Sequence, residues 1–193
     1  MLHHLKDQLL QMLCRDESVR QQLSTEGLLF KGYHPMMEAV HLENAEHLRR
    51  IVHEHGWPCT ELVGEDGAEA AWLVLQHSIG SPALMRDCRA LIESECKSGR
   101  APWWQFAYLD DRIRVFEGKP QRYGSQFELK PSGPEINALE DSIQVDQWRE
   151  DVGLGPVSEV LAQAQLLPLP TQEEHDAQQV AAELWRRKVG WAT

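Results

Sequence analysis

Basic charge is scarce in this chain. Nineteen Lys and Arg stand against 30 Asp and Glu, a net charge of -11. Nucleic-acid binding needs a phosphate-neutralising basic footprint, so no nucleic-acid partner is expected. An anionic membrane surface is disfavoured for the same reason. Cysteine is also sparse. Cys14, Cys59, Cys88 and Cys96 form no C-x-x-C pair, so they read as reduced thiols of a cytoplasmic protein, not a disulfide scaffold. No apolar run is long enough to span a bilayer, and MLHHLKDQLL does not read as a signal peptide. There is no internal repeat and no low-complexity tract. No serine or cysteine sits in a nucleophile elbow, so any hydrolysis would have to use activated water. No standard cofactor motif is present, and no cofactor is expected.

What is present suits a globular protein: 193 residues, 42% of them hydrophobic, enough to build a core. The periodicity is mostly helical. Residues 2–23 carry Leu2, Leu5, Leu9, Met12 and Leu13 on an amphipathic helix. A connector, STEGLLFKGYHPMM, precedes a second helix over 36–55, which Gly56 and Pro58 terminate. Asp66 with Glu69 fits a capping box opening a helix over 66–79. Helices over 82–97 and 103–117 follow, the latter apolar on nearly all sides and therefore central. The expected fold is mainly α, a compact multi-helix domain with a small β-hairpin or flap near residues 121–130. Residues 1–165 read as one helical domain. Residues 166–193 read as a proline-rich linker and a C-terminal helix, opened by Thr171 and Glu174, packing on it.

The candidate site residues are polar groups on faces that should be buried. At about 100° per residue, the 36–55 helix turns His41, Asn44 and His55 towards the core with Val40, Ala45, Leu48, Ile51 and Val52. Buried polar groups must find partners, either as a structural network or around a ligand. Gln76 and His77 close the next helix, on one stripe with Asp66. Asp111 falls among the apolar residues of the 103–117 helix, so its partner is expected from another element, while Asp110 and Arg114 look like a surface pair at i and i+4. The 121–126 run, Gln-Arg-Tyr-Gly-Ser-Gln, is expected as a flap carrying Gln121, Tyr123 and Gln126.

These residues also carry a resemblance. Asn44 with His55-Gly56-Trp57-Pro58, Val63-Gly64-Glu65-Asp66-Gly67, Ala71-Trp72, Gln76-His77, Tyr108-Leu109-Asp110-Asp111-Arg112 and Gln121-Arg122-Tyr123-Gly124-Ser125-Gln126 together resemble a family of uncharacterised bacterial proteins over about residues 36–165. The resemblance brings a set of positions and no reaction. Two positions depart from it. His41 stands where relatives often carry an acid, and Ser78-Ile79-Gly80-Ser81 stands where further histidine and aspartate often follow.

Three functional expectations follow. The first is an enzyme acting on a small polar or peptide-like substrate, with His77 and Asp111 as the general acid–base pair. Asn44, His55, Asp66, Gln76, Arg112, Gln121, Tyr123 and Gln126 would bind the substrate, in a polar cleft between the 36–55, 66–79 and 103–117 helices and the flap. The second is an acidic binding protein that neutralises or regulates a basic protein partner. The third, a metal site from His41, His77 and an acid such as Asp66 or Asp111, lacks the H-E-x-x-H spacing, and no metal is expected from the sequence.

Overall fold

The structure is a computed structural model describing residues 1–29 and 31–192. Phe30, inside the expected connector, and Thr193 lie outside the described residues. Eight helices and one two-stranded antiparallel sheet are formed among the described residues, so the fold is mainly α. No helix among them is long and apolar enough to cross a membrane. The chain divides into two compact units, 1–101 and 102–193. The division expected after residue 165 falls inside the second.

The first unit holds α1 (His3–Thr25), α2 (Pro35–His55), α3 (Thr60–His77) and α4 (Pro82–Lys97). Its core is the apolar stripe of each helix. Leu5, Leu9, Met12 and Leu23 come from α1, and Met37, Val40, Ala45, Leu48 and Ile51 from α2. Val63, Ala70, Ala71, Val74 and Leu75 come from α3, and Leu84, Met85, Cys88 and Ile92 from α4. α1 packs against α3 and α2. α2 begins where Pro35 sits in its first turn, with the His34 imidazole accepting the Met36 N–H at 3.2 Å. It ends at Gly56 with φ 76°. α3 begins earlier than the sequence indicates, at Thr60. It is interrupted at Gly64, whose φ of 77° and ψ of 170° are not helical. Asp66 lies near the start of the helical segment that follows this break. Its exposed carboxylate accepts the Lys6 ammonium at 2.9 Å and interacts with its own backbone N–H rather than with Glu69.

The second unit holds α5 (Trp103–Phe116), β1 (Phe127–Lys130), β2 (Gly133–Ile136), α6 (Val145–Asp151), α7 (Val157–Ala164) and α8 (Gln172–Val189). The hairpin lies slightly further along the chain than residues 121–130. Phe127 pairs with Ile136 and Lys130 with Gly133. Residues 121–126 instead form an irregular loop that precedes it, anchored where Gln121 bonds the backbone of Ala138 and Glu140. The capping box at Thr171 and Glu174 is formed, and Gly190 closes α8 in the left-handed region. Near that end, Trp191 stacks on Phe116 at 5.1 Å.

Candidate functional site

In the first unit a polar cluster forms where three helices converge. Asp16 continues the α1 stripe of Leu5, Leu9 and Met12 at intervals of four, three and four residues. The geometry that buries those side chains buries its carboxylate too, at 1% exposure. His41 occupies the buried face of α2 beside Val40 and Asn44. His77 is the last residue of α3. Its Nδ1 lies 2.8 Å from Asp16 Oδ2, and His41 Nε2 lies 3.2 Å from the same oxygen. The two imidazoles stack at 5.1 Å between centroids. The Tyr33 hydroxyl sits 2.8 Å from His41 Nδ1, with its ring 5.6 Å from that imidazole.

Electrostatics orders the protons in this cluster. Burial pushes the Asp16 carboxyl up, but the close approach and charge of His41 and the hydrogen bond and charge of His77 outweigh it, holding the group well below the usual carboxylate range. Burial, reinforced by the charges of Glu38 and Asp16, raises the Tyr33 phenol far above its ordinary value. Tyr33 is therefore neutral. The ionised Asp16 carboxylate 3.2 Å from His41 Nε2 favours the His41 proton on that nitrogen, which leaves Nδ1 to accept the Tyr33 hydroxyl. His77 gives its Nδ1 proton to Asp16. Its side chain is a quarter exposed, and its Nε2 has no protein partner among the described residues. Such an arrangement can accept and return a proton at His77 Nε2. It also gathers two imidazoles and a carboxylate whose ligating atoms all lie within 4.8 Å of one another.

The other expected site residues of this unit fall elsewhere. Buried Asn44 donates to the Met12 carbonyl at 3.1 Å, tying α2 to α1 one turn before Asp16. His55, expected on the core face, is exposed at the end of α2, 3.7 Å from Glu54. As the last residue of α2 it lies on the wall of an open groove rather than under a packed helix. Asn44 and His55 line a groove of about 670 Å³ with Gln8, Arg15, His47 and Arg50, in which neither Asp16 nor His77 takes part. Gln76 is buried beside His77, and Asp66 is at the surface.

In the second unit Asp111 is fully buried, and the 121–126 loop wraps around it. Its Oδ1 accepts the backbone N–H of Arg122 at 2.8 Å and of Tyr123 at 3.0 Å. Its Oδ2 accepts Tyr123 at 3.2 Å and Ser125 at 2.9 Å. Burial raises this carboxyl above its usual range, and the N–H bonds oppose the rise. The partner of Asp111 thus comes from another element, as expected, but it is main chain. The Gln121 amide bonds the carbonyls of Gln126 (2.8 Å) and Asn137 (3.0 Å) and accepts the Gln126 N–H at 2.9 Å. Gln126 accepts Arg112 Nε at 3.2 Å. Burial lowers the Arg112 guanidinium from its usual value. The Tyr123 carbonyl accepts Arg149 at 2.7 Å. Gly124 is required here: at φ 60°, an added Cβ would lie 2.9 Å from Val157 Cγ2. The Asp110–Arg114 pair is present at 2.8 Å, but Asp110 is buried at 3% exposure. The pair is extended by Glu140 at 2.9 Å from Arg114, so it is not an ordinary surface pair.

The expected residues therefore divide. Asn44, His55, Asp66, Gln76 and His77 belong to the first unit, and Asp111, Arg112, Gln121, Tyr123 and Gln126 to the second. Asp16 and Tyr33 are the functional candidates that the sequence reading missed. The signal for Asp16 was legible, being the one that marked Asp111: an acid at an apolar position of a helical stripe. Tyr33 lies in an irregular connector and has no periodicity to betray it.

No curated protein and no solved structure matches the chain significantly. A family model of unknown function does match, over residues 3–167, a span holding both the cluster around Asp16 and the loop around Asp111. The chain belongs to that family of unknown function, DUF6624.

Proposed function

We propose that the protein is an enzyme that transfers a proton to or from a small polar substrate, or a water attacking it, at the Asp16–His41–His77 cluster. The observation that carries this reading is the buried Asp16 carboxylate 2.8 Å from His77 Nδ1. A carboxylate behind an imidazole fixes its tautomer, orients its outer nitrogen and stabilises the imidazolium formed when that nitrogen takes a proton. His77 is then the acid–base group, because only its ring is partly open to solvent. Asp16, not Asp111, orients it. His41, held by Tyr33, keeps the carboxylate in place from the other side. Asp111 serves as the anchor of the 121–126 loop, since its two oxygens are engaged by three backbone N–H groups.

The test is a thermal-shift screen of metabolites and peptides against the wild type, His77→Ala and Asp16→Asn, in chelator-treated buffer. A ligand binding only the folded state raises its apparent stability. The expected result is a ligand whose stabilisation of the wild type is lost in both variants, with turnover lost in His77→Ala. A ligand that stabilises all three proteins alike would overturn the reading and favour a non-catalytic binding role.

A further inference from the structure

We infer that Asp16, His41 and His77 form a binding site for one divalent first-row transition-metal ion, of which Zn²⁺ is the natural probe. The inference rests on the same cluster as the proton-transfer reading and deepens it. With an ion bound, His77 would be a ligand, and a water on the metal, made more acidic by the Lewis acid, would lose a proton to solvent and act as the hydroxide nucleophile or base.

Four observations support the site. The ligating atoms converge, all within 4.8 Å. In a tetrahedral site with bonds of about 2.0–2.1 Å, neighbouring ligand atoms stand roughly 3.3 Å apart. Asp16 Oδ2 is 2.8 Å from His77 Nδ1 and 3.2 Å from His41 Nε2, so both edges that meet at the carboxylate oxygen stand close to that spacing, and the edge between the imidazoles is no longer than 4.8 Å. Next, the site is polar and under-satisfied. Asp16 is 1% exposed, and its Oδ1 makes no hydrogen bond; the buried His41 Nε2 makes none of good geometry either, although it faces the carboxylate. Buried polar atoms left this way cost free energy that a cation would recover. Third, the ligand set discriminates. Two imidazoles and one carboxylate suit zinc or a neighbouring transition metal, whereas Mg²⁺ and Ca²⁺ prefer all-oxygen sets. Three protein ligands are the set of a catalytic zinc site rather than of a closed four-ligand structural one, and His77, a quarter exposed, is the ligand that solvent reaches. Finally, the outer shell is built. With the ion bound, His41 carries its proton on Nδ1 and donates it to the Tyr33 hydroxyl oxygen 2.8 Å away, which reverses the metal-free bond and frees Nε2 to ligate. This is the second hydrogen bond that ligating histidines regularly make.

The experiment is a titration of chelator-stripped, untagged full-length protein with Zn²⁺, using a competing chromophoric chelator, followed by Co²⁺ substitution. The expected result is one ion per chain, with affinity falling about a hundredfold or more in Asp16→Asn and His41→Gln and roughly tenfold in Tyr33→Phe. Substituting both His3 and His4 by Ala, near the chain start, leaves it unchanged. Circular dichroism confirms that each variant is folded. Should the buried-site variants fail to fold, the wild-type Co²⁺ spectrum decides. A tetrahedral nitrogen–oxygen spectrum without thiolate charge transfer supports the site, and any other spectrum overturns it. Absence of stoichiometric binding overturns it too, as does an affinity lost with His3 and His4 and kept in Asp16→Asn and His41→Gln. The two readings separate cleanly. Tight metal binding without any cluster-dependent ligand or turnover sinks the enzyme reading alone. Cluster-dependent turnover in metal-free protein sinks the metal site alone.

Discussion

Replacing Asp111 by Asn exchanges one of its acceptor oxygens for an NH₂ group aimed at backbone N–H donors. At least one of Arg122, Tyr123 and Ser125 loses its acceptor in a buried setting. The expected cost is about 3 kcal/mol of unfolding free energy, read from urea denaturation, with faster amide exchange at 122–125. A loss below about half a kcal/mol would show that the loop does not depend on the carboxylate. Asp16 predicts a pH dependence. Its carboxyl is held below the ordinary range, so the folded state binds its proton less well than the unfolded state. The stabilisation is therefore fully present above about pH 4 and is lost as pH falls further, towards the folded-state value. Thermal melts of metal-free wild type and Asp16→Asn should differ at neutral pH and converge below about pH 4. A gap that stays constant into acid counts against the ionised carboxylate as the source. At this scale the sequence showed which polar residues are misplaced by pattern. Asp111, Asn44 and His41 are buried as their helical positions require. It did not show which groups they meet, because a side chain's partner is chosen by elements far apart in the chain. Asp16 and His77 are 61 residues apart.

Elements were legible wherever local chemistry decides. The helix over 36–55, the stops at Gly56 and Pro58, and the Thr171–Glu174 box all depend on neighbouring residues and are all formed. Gly64-Glu65-Asp66-Gly67 reads as a helix beginning, and a helical segment does begin there, just after the non-helical Gly64. The short helical stretch from Thr60 that precedes the break is what the pattern does not show. The conformation at Gly64 lies in a region essentially reserved for glycine, and a Cβ there would meet Met1 Cε at 3.3 Å. Gly64→Ala should therefore cost about 1–3 kcal/mol, seen as a lower melting midpoint. An unchanged midpoint would mean that α3 runs straight through this position. The 121–126 run shows the opposite limit. Its residues looked like strand formers, yet Asp111 takes the backbone N–H groups that a ladder would use. The paired strands form only from Phe127 onwards.

For the whole molecule, charge governs behaviour more than shape does. The net charge of -11 counts the nine histidines as neutral, and protonating all nine would bring it to -2. Mutual repulsion between chains therefore fades as pH falls from neutrality towards the pI of about 5.2. Light scattering across that range should show self-association rising steeply near pH 5 and reversing on return to pH 7. Scattering that is flat with pH would mean that repulsion is not what keeps the chains apart. Composition, charge and hydrophobic period by themselves determined that the protein is mainly helical and acidic, and which positions carry polar groups on apolar faces. These are properties of single residues and their near neighbours, so a linear pattern records them. Only the tertiary structure decided that the candidate residues fall into two units, that the carboxylate behind His77 is Asp16, and that Asp111 holds main chain. Each of those depends on which surfaces of separate elements come together to bury their stripes, and no spacing within one element encodes that.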